Sequence, residues 1–167
     1  VVFARSRAGD DPVNCLWVLD PASGDERLVA DPHVLLGADD ESLPPEERAR
    51  RERMREGAGG ITAYATDRTA SVVAFALSGR LFVGGLLSGQ ARELVVDGPV
   101  FDPRPDPVAT RVAYVSGRTL RIAELDGRVN TVRLAFAAHN EHPYRSVGRW
   151  LIEQGELTAE TASWPAI

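Results

Sequence analysis

The sequence predicts a mostly β fold: incomplete β-propeller blades built from antiparallel hairpins, with an Arg/Glu-rich helix inserted between them and a short strand–helix–helix segment at the C-terminus. Three observations predict it. Residues 71–96 read SVVAFAL, SG, RLFVGG, LLSGQ, ARELVV, two apolar strands and a more charged third. Gly-containing turns between such runs are the chemistry that hairpins require. The same pattern recurs near the N-terminus as VVFARS, a longer loop, CLWVLD, PASGD, ERLVA, and later as RVAYVS, GRT, LRIAEL, DGRVN, TVRLAF. Ser71 and Thr110 open successive copies 39 residues apart, close to the roughly 40–45-residue period of a four-stranded blade. One copy alone cannot bury its faces, so the copies have to stack.

The chain of 167 residues is long enough for a real core. A closed propeller needs at least about four blades; two complete copies and parts are present, and residue 1 is Val at the head of a strand. That reads as a piece of a longer protein. The net charge is −5, without the basic footprint of a nucleic-acid partner. All 19 basic residues are Arg, which reads as coding bias and not as a binding device. Cys15 is the sole cysteine and lies in an apolar strand, where it reads as a small buried hydrophobe. No apolar run approaches the roughly 20 residues of a membrane span, and no signal peptide is read.

In chain order, residues 1–5 and 15–20 pair across a polar loop, and DPASG is a turn. Trp17 and Leu19 share one face of their strand, Leu16 and Val18 the other, which places that strand inside a stack of sheets. Residues 31–42 read as a loop. The helix LPPEERARRERMRE spans residues 43–56, with Ser42 as its cap, the Pro pair in its first turn, and Glu46–Arg50 and Glu47–Arg51 as i,i+4 pairs. Gly57 stops it, and Gly59-Gly60 loosens the backbone before the next strand. Only Ala49 and Met54 offer the helix an apolar contact, so it is expected to pack weakly, either as a solvated excursion or as an arm whose arginines reach an anionic ligand. Residues 61–66 are an edge or linking strand, and the Asp/Pro-rich residues 97–107 a rigid connection. Residues 111–125 form the third hairpin, with residues 131–136 as its outer strand. From about residue 128 the character changes: Tyr144, Val147, Gly148 and Leu151 recur at helical spacing, and Thr158 caps a second short helix.

No catalytic constellation is legible. There is no G-x-S-x-G elbow, and Ser146 lies in Y-R-S-V-G, where Tyr144 replaces the glycine that the crowded turn needs. His139 and His142 sit three apart beside Glu141, not at the i,i+4 spacing of H-E-x-x-H, and no third ligand is apparent. Gly57, Gly59 and Gly60 come after a helix and before a strand, the wrong order for a phosphate loop. No metal and no cofactor are expected.

Residues 1–127 resemble the N-terminal propeller of the dipeptidyl peptidase IV family. The stretches that carry this are NCLWVLDPASGDERLVAD, LPPEERARRERMREGAGGITAY, FALSGRLFV and DPRPDPVATRVAYVSGRTLRIAELDG. The resemblance implies a gating propeller of a serine peptidase that removes N-terminal dipeptides, with its α/β-hydrolase domain and triad further along the chain. Peptide substrate is the implied partner and the cytoplasm the favoured place. That family binds the substrate amine through two adjacent glutamates and an arginine. Glu46-Glu47 lies in the helix and is not matched to that role; Arg48, Arg50 and Arg51 are the candidates for the arginine.

Residues 128–167 resemble a segment of the MltA-type lytic transglycosylases, which cleave peptidoglycan and leave an anhydro sugar. The matching run is AAHNEHPYRSVGRWLIEQGEL, with Asn140, Tyr144, Ser146, Gly148 and Leu151 in place and Glu141 where the family has Gly. The family's catalytic Asp lies beyond this stretch; Asn140, Tyr144 and Ser146 are candidates for lining the glycan groove. Peptidoglycan and the cell envelope are what this half implies. The join near residues 126–129 reads as the meeting of two unrelated pieces, and the chain by itself is expected to be catalytically inactive. A non-catalytic β-rich binding module is the remaining reading of the whole.

Overall fold

The computed structural model describes residues 1–37, 41–117, 119–126 and 134–135. The fold is mostly β, and the chain divides into two compact units, Val1–Arg133 and Leu134–Ile167.

In the first unit, β1 (Val2–Ser6), β2 (Val13–Leu19) and β3 (Glu26–Ala30) form one antiparallel sheet in sequential order. The two-residue β4 (Gly59–Gly60) runs parallel to β2 at Val13–Asn14. A second antiparallel sheet is β5 (Ala65–Thr66), β6 (Val72–Leu77), β7 (Arg80–Gly85) and β8 (Gln90–Leu94). The third contains β9 (Phe101–Pro105), β10 (Arg111–Ser116) and β11 (Thr119–Glu124). Two helices, α1 (Pro32–Leu36) and α2 (Pro45–Met54), lie between β3 and β4. Of the second unit, the strand β12 (Leu134–Ala135) is within the described residues. The expected helices after residue 140 lie outside them.

The second sheet is the middle layer, buried on both faces. Val73, Phe75, Leu77 and Phe82 pack with Leu16, Val29, Ala30 and Ile61 of the first sheet's side. Ala74, Leu81, Val83 and Leu94 pack with Val112, Tyr114 and Ala123 of the third. This is why VVAFAL reads as an unbroken apolar run. Phe75 and Phe82 are register partners whose rings stack at 5.6 Å.

The hairpins repeat in atomic detail. Asp67 accepts backbone N–H bonds from Ser71 and Val72, and Asp106, 39 residues on, accepts them from Thr110 and Arg111. The N–H of Leu86 donates to Ser71 O at 2.9 Å, and that of Leu125 to Thr110 O at 2.8 Å. The period seen in sequence is therefore a period of hydrogen bonding. The first sheet is also tied to the second, and the second to the third, by an arginine from its outer strand: Arg27 of β3 donates to Leu86 O, and Arg92 of β8 donates to Leu125 O. Arg27→Ala and Arg92→Ala are each expected to lower stability by about 1 kcal/mol. The double variant should lose the sum, because the two ties share no partner; urea unfolding of the three variants checks this.

Several expectations are corrected. β2 is buried on both faces only at Cys15 and Leu16; Trp17, Val18 and Leu19 are half-buried. Trp17 lies under the Arg5 guanidinium, which also covers Phe3. Residues 31–42 are not all loop, because Asp31 caps α1 by accepting from His33 N, with Pro32 in the first turn. The rigid 97–107 connection contains β9, whose Pro103 and Pro105 are tolerated on the outer strand of their hairpin beside a register shift. Gly59-Gly60 is itself a strand. Helix α2 is shorter than expected, Pro44 stands at its N-cap, and Arg55 in a left-handed conformation ends it in place of Gly57. The backbone N–H of Ser42 donates instead to Ser78 Oγ.

Candidate functional site

The sequence nominated α2 and the stretch around residue 144. Asn140, Tyr144 and Ser146 lie outside the described residues. The three arginines of α2 are described, and they differ.

Arg51 is the buried residue of the helix, although it is charged. Its Nη2 is 2.7 Å from Glu41 Oε1 and its Nε 2.9 Å from Glu47 Oε1. It also donates to Ala58 O and Gly60 O. A buried guanidinium is tolerable only with its donors matched in this way. Arg50 grips Glu47 through Nε and Nη2 and reaches Thr62 Oγ1 at 2.7 Å. Arg48 is exposed, its Nη2 3.4 Å from Leu43 O. Arg50 and Arg51 are thus brought together, around carboxylates of their own chain, and Arg48 stands apart.

Burial opposes the charge of Glu47, but hydrogen bonds from Arg50 and Arg51 outweigh it and hold the carboxyl below the usual glutamate range. The i,i+4 pair Glu47–Arg51 forms as expected; Glu47 also pairs with Arg50 at i,i+3. Met54, expected to pack, is 70 % exposed. Glu41 was missed by sequence reasoning. Its Oε2 accepts the Gly60 N–H at 3.0 Å, so it bridges the helix to β4. The readable signal was the G-I-T-x-Y run after the helix: Gly60 and Thr62 meet the ion pairs, Ile61 is fully buried, and Tyr64 Oη donates to Val2 O.

The other titratable groups of interest are structural. Cys15 is buried, and burial together with nearby Asp31 pushes its thiol up to about 11, the opposite of an activated nucleophile. Asp31 is in turn paired with Arg7 at 2.7 Å. Asp67 is buried, yet hydrogen bonds from Thr69, Val72 and Ser71 hold it well below the carboxylate range. Among the described residues no group of three or more His, Cys, Asp or Glu could hold a metal ion, and no helix is long and apolar enough to cross a membrane.

Residues 106–167 match the family model of the MltA specific insert domain. The match takes in the run around Tyr144. It begins at Asp106, the carboxylate that holds the turn before β10, and so includes the β10–β11 hairpin.

Proposed function

We propose that residues 106–167 are part of the insert domain of an MltA-like lytic transglycosylase and help to hold the peptidoglycan strand that such an enzyme cleaves. The match over residues 106–167 carries this reading. Asn140, Tyr144 and Ser146 are the residues proposed to line the glycan groove, through amide and hydroxyl bonds to sugar hydroxyls and a ring against a sugar face. Cleavage is not assigned to this chain, since no residue of it is matched to the family's catalytic Asp.

The expected result is that the purified chain co-sediments with insoluble peptidoglycan sacculi but releases no anhydro-muropeptides. Because the chain is net acidic, retention should not rest on charge and should survive added salt. Replacing Asn140, Tyr144 and Ser146 together by Ala should leave most of the protein in the supernatant. A wild-type chain that never pellets with sacculi overturns the reading.

A second reading covers residues 1–126, which overlap the family match from residue 106 on. The repeated turns and the arginine ties favour stacked blade-like sheets there, a scaffold carrying no chemistry of its own. The resemblance to the dipeptidyl peptidase IV propeller draws no support from the family match, which takes in residues 106–127, most of the last stretch that carried that resemblance.

A further inference from the structure

We infer that residues 41–58 form a strap fastened to the first sheet chiefly by charge, and that the strap comes off as a unit in acid while the sheets stay folded. An amphipathic helix is ordinarily held by an apolar stripe. In α2 the buried residue is Arg51, and the large apolar side chain, Met54, is mostly in water. What joins the strap to its surroundings is polar. Within the strap Glu41 and Glu47 hold Arg51; across its boundary Arg51 reaches Gly60 O, Glu41 takes the Gly60 N–H, Arg50 reaches Thr62, and Thr62 Oγ1 donates to Glu47 Oε1 at 3.3 Å. The Ser42 N–H donating to Ser78 Oγ and the packing of Pro44 beside Gly79 are further ties. Ile61, fully buried in the core, marks where the strap ends and the fixed sheet begins.

The charged groups around Glu47 are Arg50 and Arg51 on its own helix and Glu41 before it, which shares Arg51. Glu56 after the helix and Asp102 on β9 act on Arg50. Both of these are acidic, so they favour the charged arginine. The segment on the sheet side, residues 59–62, offers the Gly60 backbone and the Thr62 hydroxyl, which donates to Glu47 and accepts from Arg50. Protonating Glu47 therefore removes the acceptor that two arginines share, leaving Arg51 with Glu41 and Arg50 with the attraction of Glu56 and Asp102. Because the folded state holds the Glu47 carboxyl below its usual range, its contribution is complete above that range, about pH 4.3, and is lost as the pH falls through the lowered value.

Amide hydrogen exchange of the whole chain, corrected for intrinsic rates, tests this without any variant. Between about pH 7 and about pH 3.5, protection of the α2 amides should fall by about tenfold, with β6 and β7 losing clearly less. Glu47→Gln should give the acid-like protection of α2 already at neutral pH and flatten its pH dependence. Glu46→Gln, at an exposed position, should behave as the wild type. The inference is overturned if α2 and the sheets lose protection together in the wild-type series. It is equally overturned if Glu47→Gln keeps both the protection and the pH profile of the wild type.

Discussion

Asp67→Ala is expected to lower the unfolding free energy by about 3–4 kcal/mol, far more than the same change at Asp106. The Asp67 carboxylate is 5 % exposed and accepts from Thr69 N at 3.0 Å, Thr69 Oγ1 at 2.6 Å, and the backbone N–H groups of Ser71 and Val72 at 2.7 Å each. Deleting it strands backbone donors at the head of β6, the first long strand of the layer that both cores share. Asp106 holds the equivalent turn, but with more solvent access and one backbone donor fewer, so Asp106→Ala should cost about 1 kcal/mol. The folded carboxyl of Asp67 is depressed, so its contribution is fully present above the usual aspartate value, about pH 3.9, and disappears as the pH falls through the folded value. Asp67→Asn keeps the shape and should remove that share of the acid dependence. Urea unfolding monitored by far-ultraviolet circular dichroism, at neutral pH and in mild acid, measures both. An Asp67→Ala midpoint equal to that of Asp106→Ala would refute the argument.

The two hairpins β6–β7 and β10–β11 were legible because everything that forms them is local: apolar β-branched runs, Ser-Gly or Gly turns, and a constant offset between Ser71 and Thr110. The turn carboxylates Asp67 and Asp106 obey the same offset and could have been found from it. Strand β9 was illegible because prolines argue against a strand until it is known to be an outer one. Strand β4 was illegible for another reason: two glycines carry no periodicity, and what makes them a strand is β2, more than forty residues earlier. The start of α1 had a local signal in Asp31-Pro32, a capping side chain before a first-turn proline. In α2 the acidic first turn, the Glu47–Arg51 pair and the poverty of apolar surface were all local properties, and they stand. That Arg51 is buried and Arg48 exposed was not readable, because the difference is made by Glu41 and by the carbonyls of Ala58 and Gly60. A row of arginines along a helix names the chemistry available; the partner that each one meets is a long-range fact.

Gly60→Ala is the other change with a large expected effect, about 3–4 kcal/mol. Gly60 has φ +71°, where any side chain is strained, and an added Cβ would stand 2.6 Å from Asn14 O, 2.8 Å from Val13 Cγ1 and 2.9 Å from Pro32 Cγ. The Asn14 carbonyl cannot step aside cheaply, because it already accepts the Ile61 N–H at 2.9 Å. Relief therefore means parting β4 from β2, which also breaks the Glu41 bond to the Gly60 N–H and the Arg51 bond to its carbonyl, and draws Ile61 out of the core beside Leu16 and Phe75. Strain, clash and lost hydrogen bonds thus fall on the single point where the inserted helix meets the first sheet. Gly57→Ala is the matched control: its φ is not positive and nothing lies within 4 Å of the new carbon, so the change should stay within about 0.5 kcal/mol. Thermal and urea unfolding of the two variants side by side decide the matter, with a Gly60→Ala midpoint close to that of Gly57→Ala as the result that would show β4 to be a passive contact.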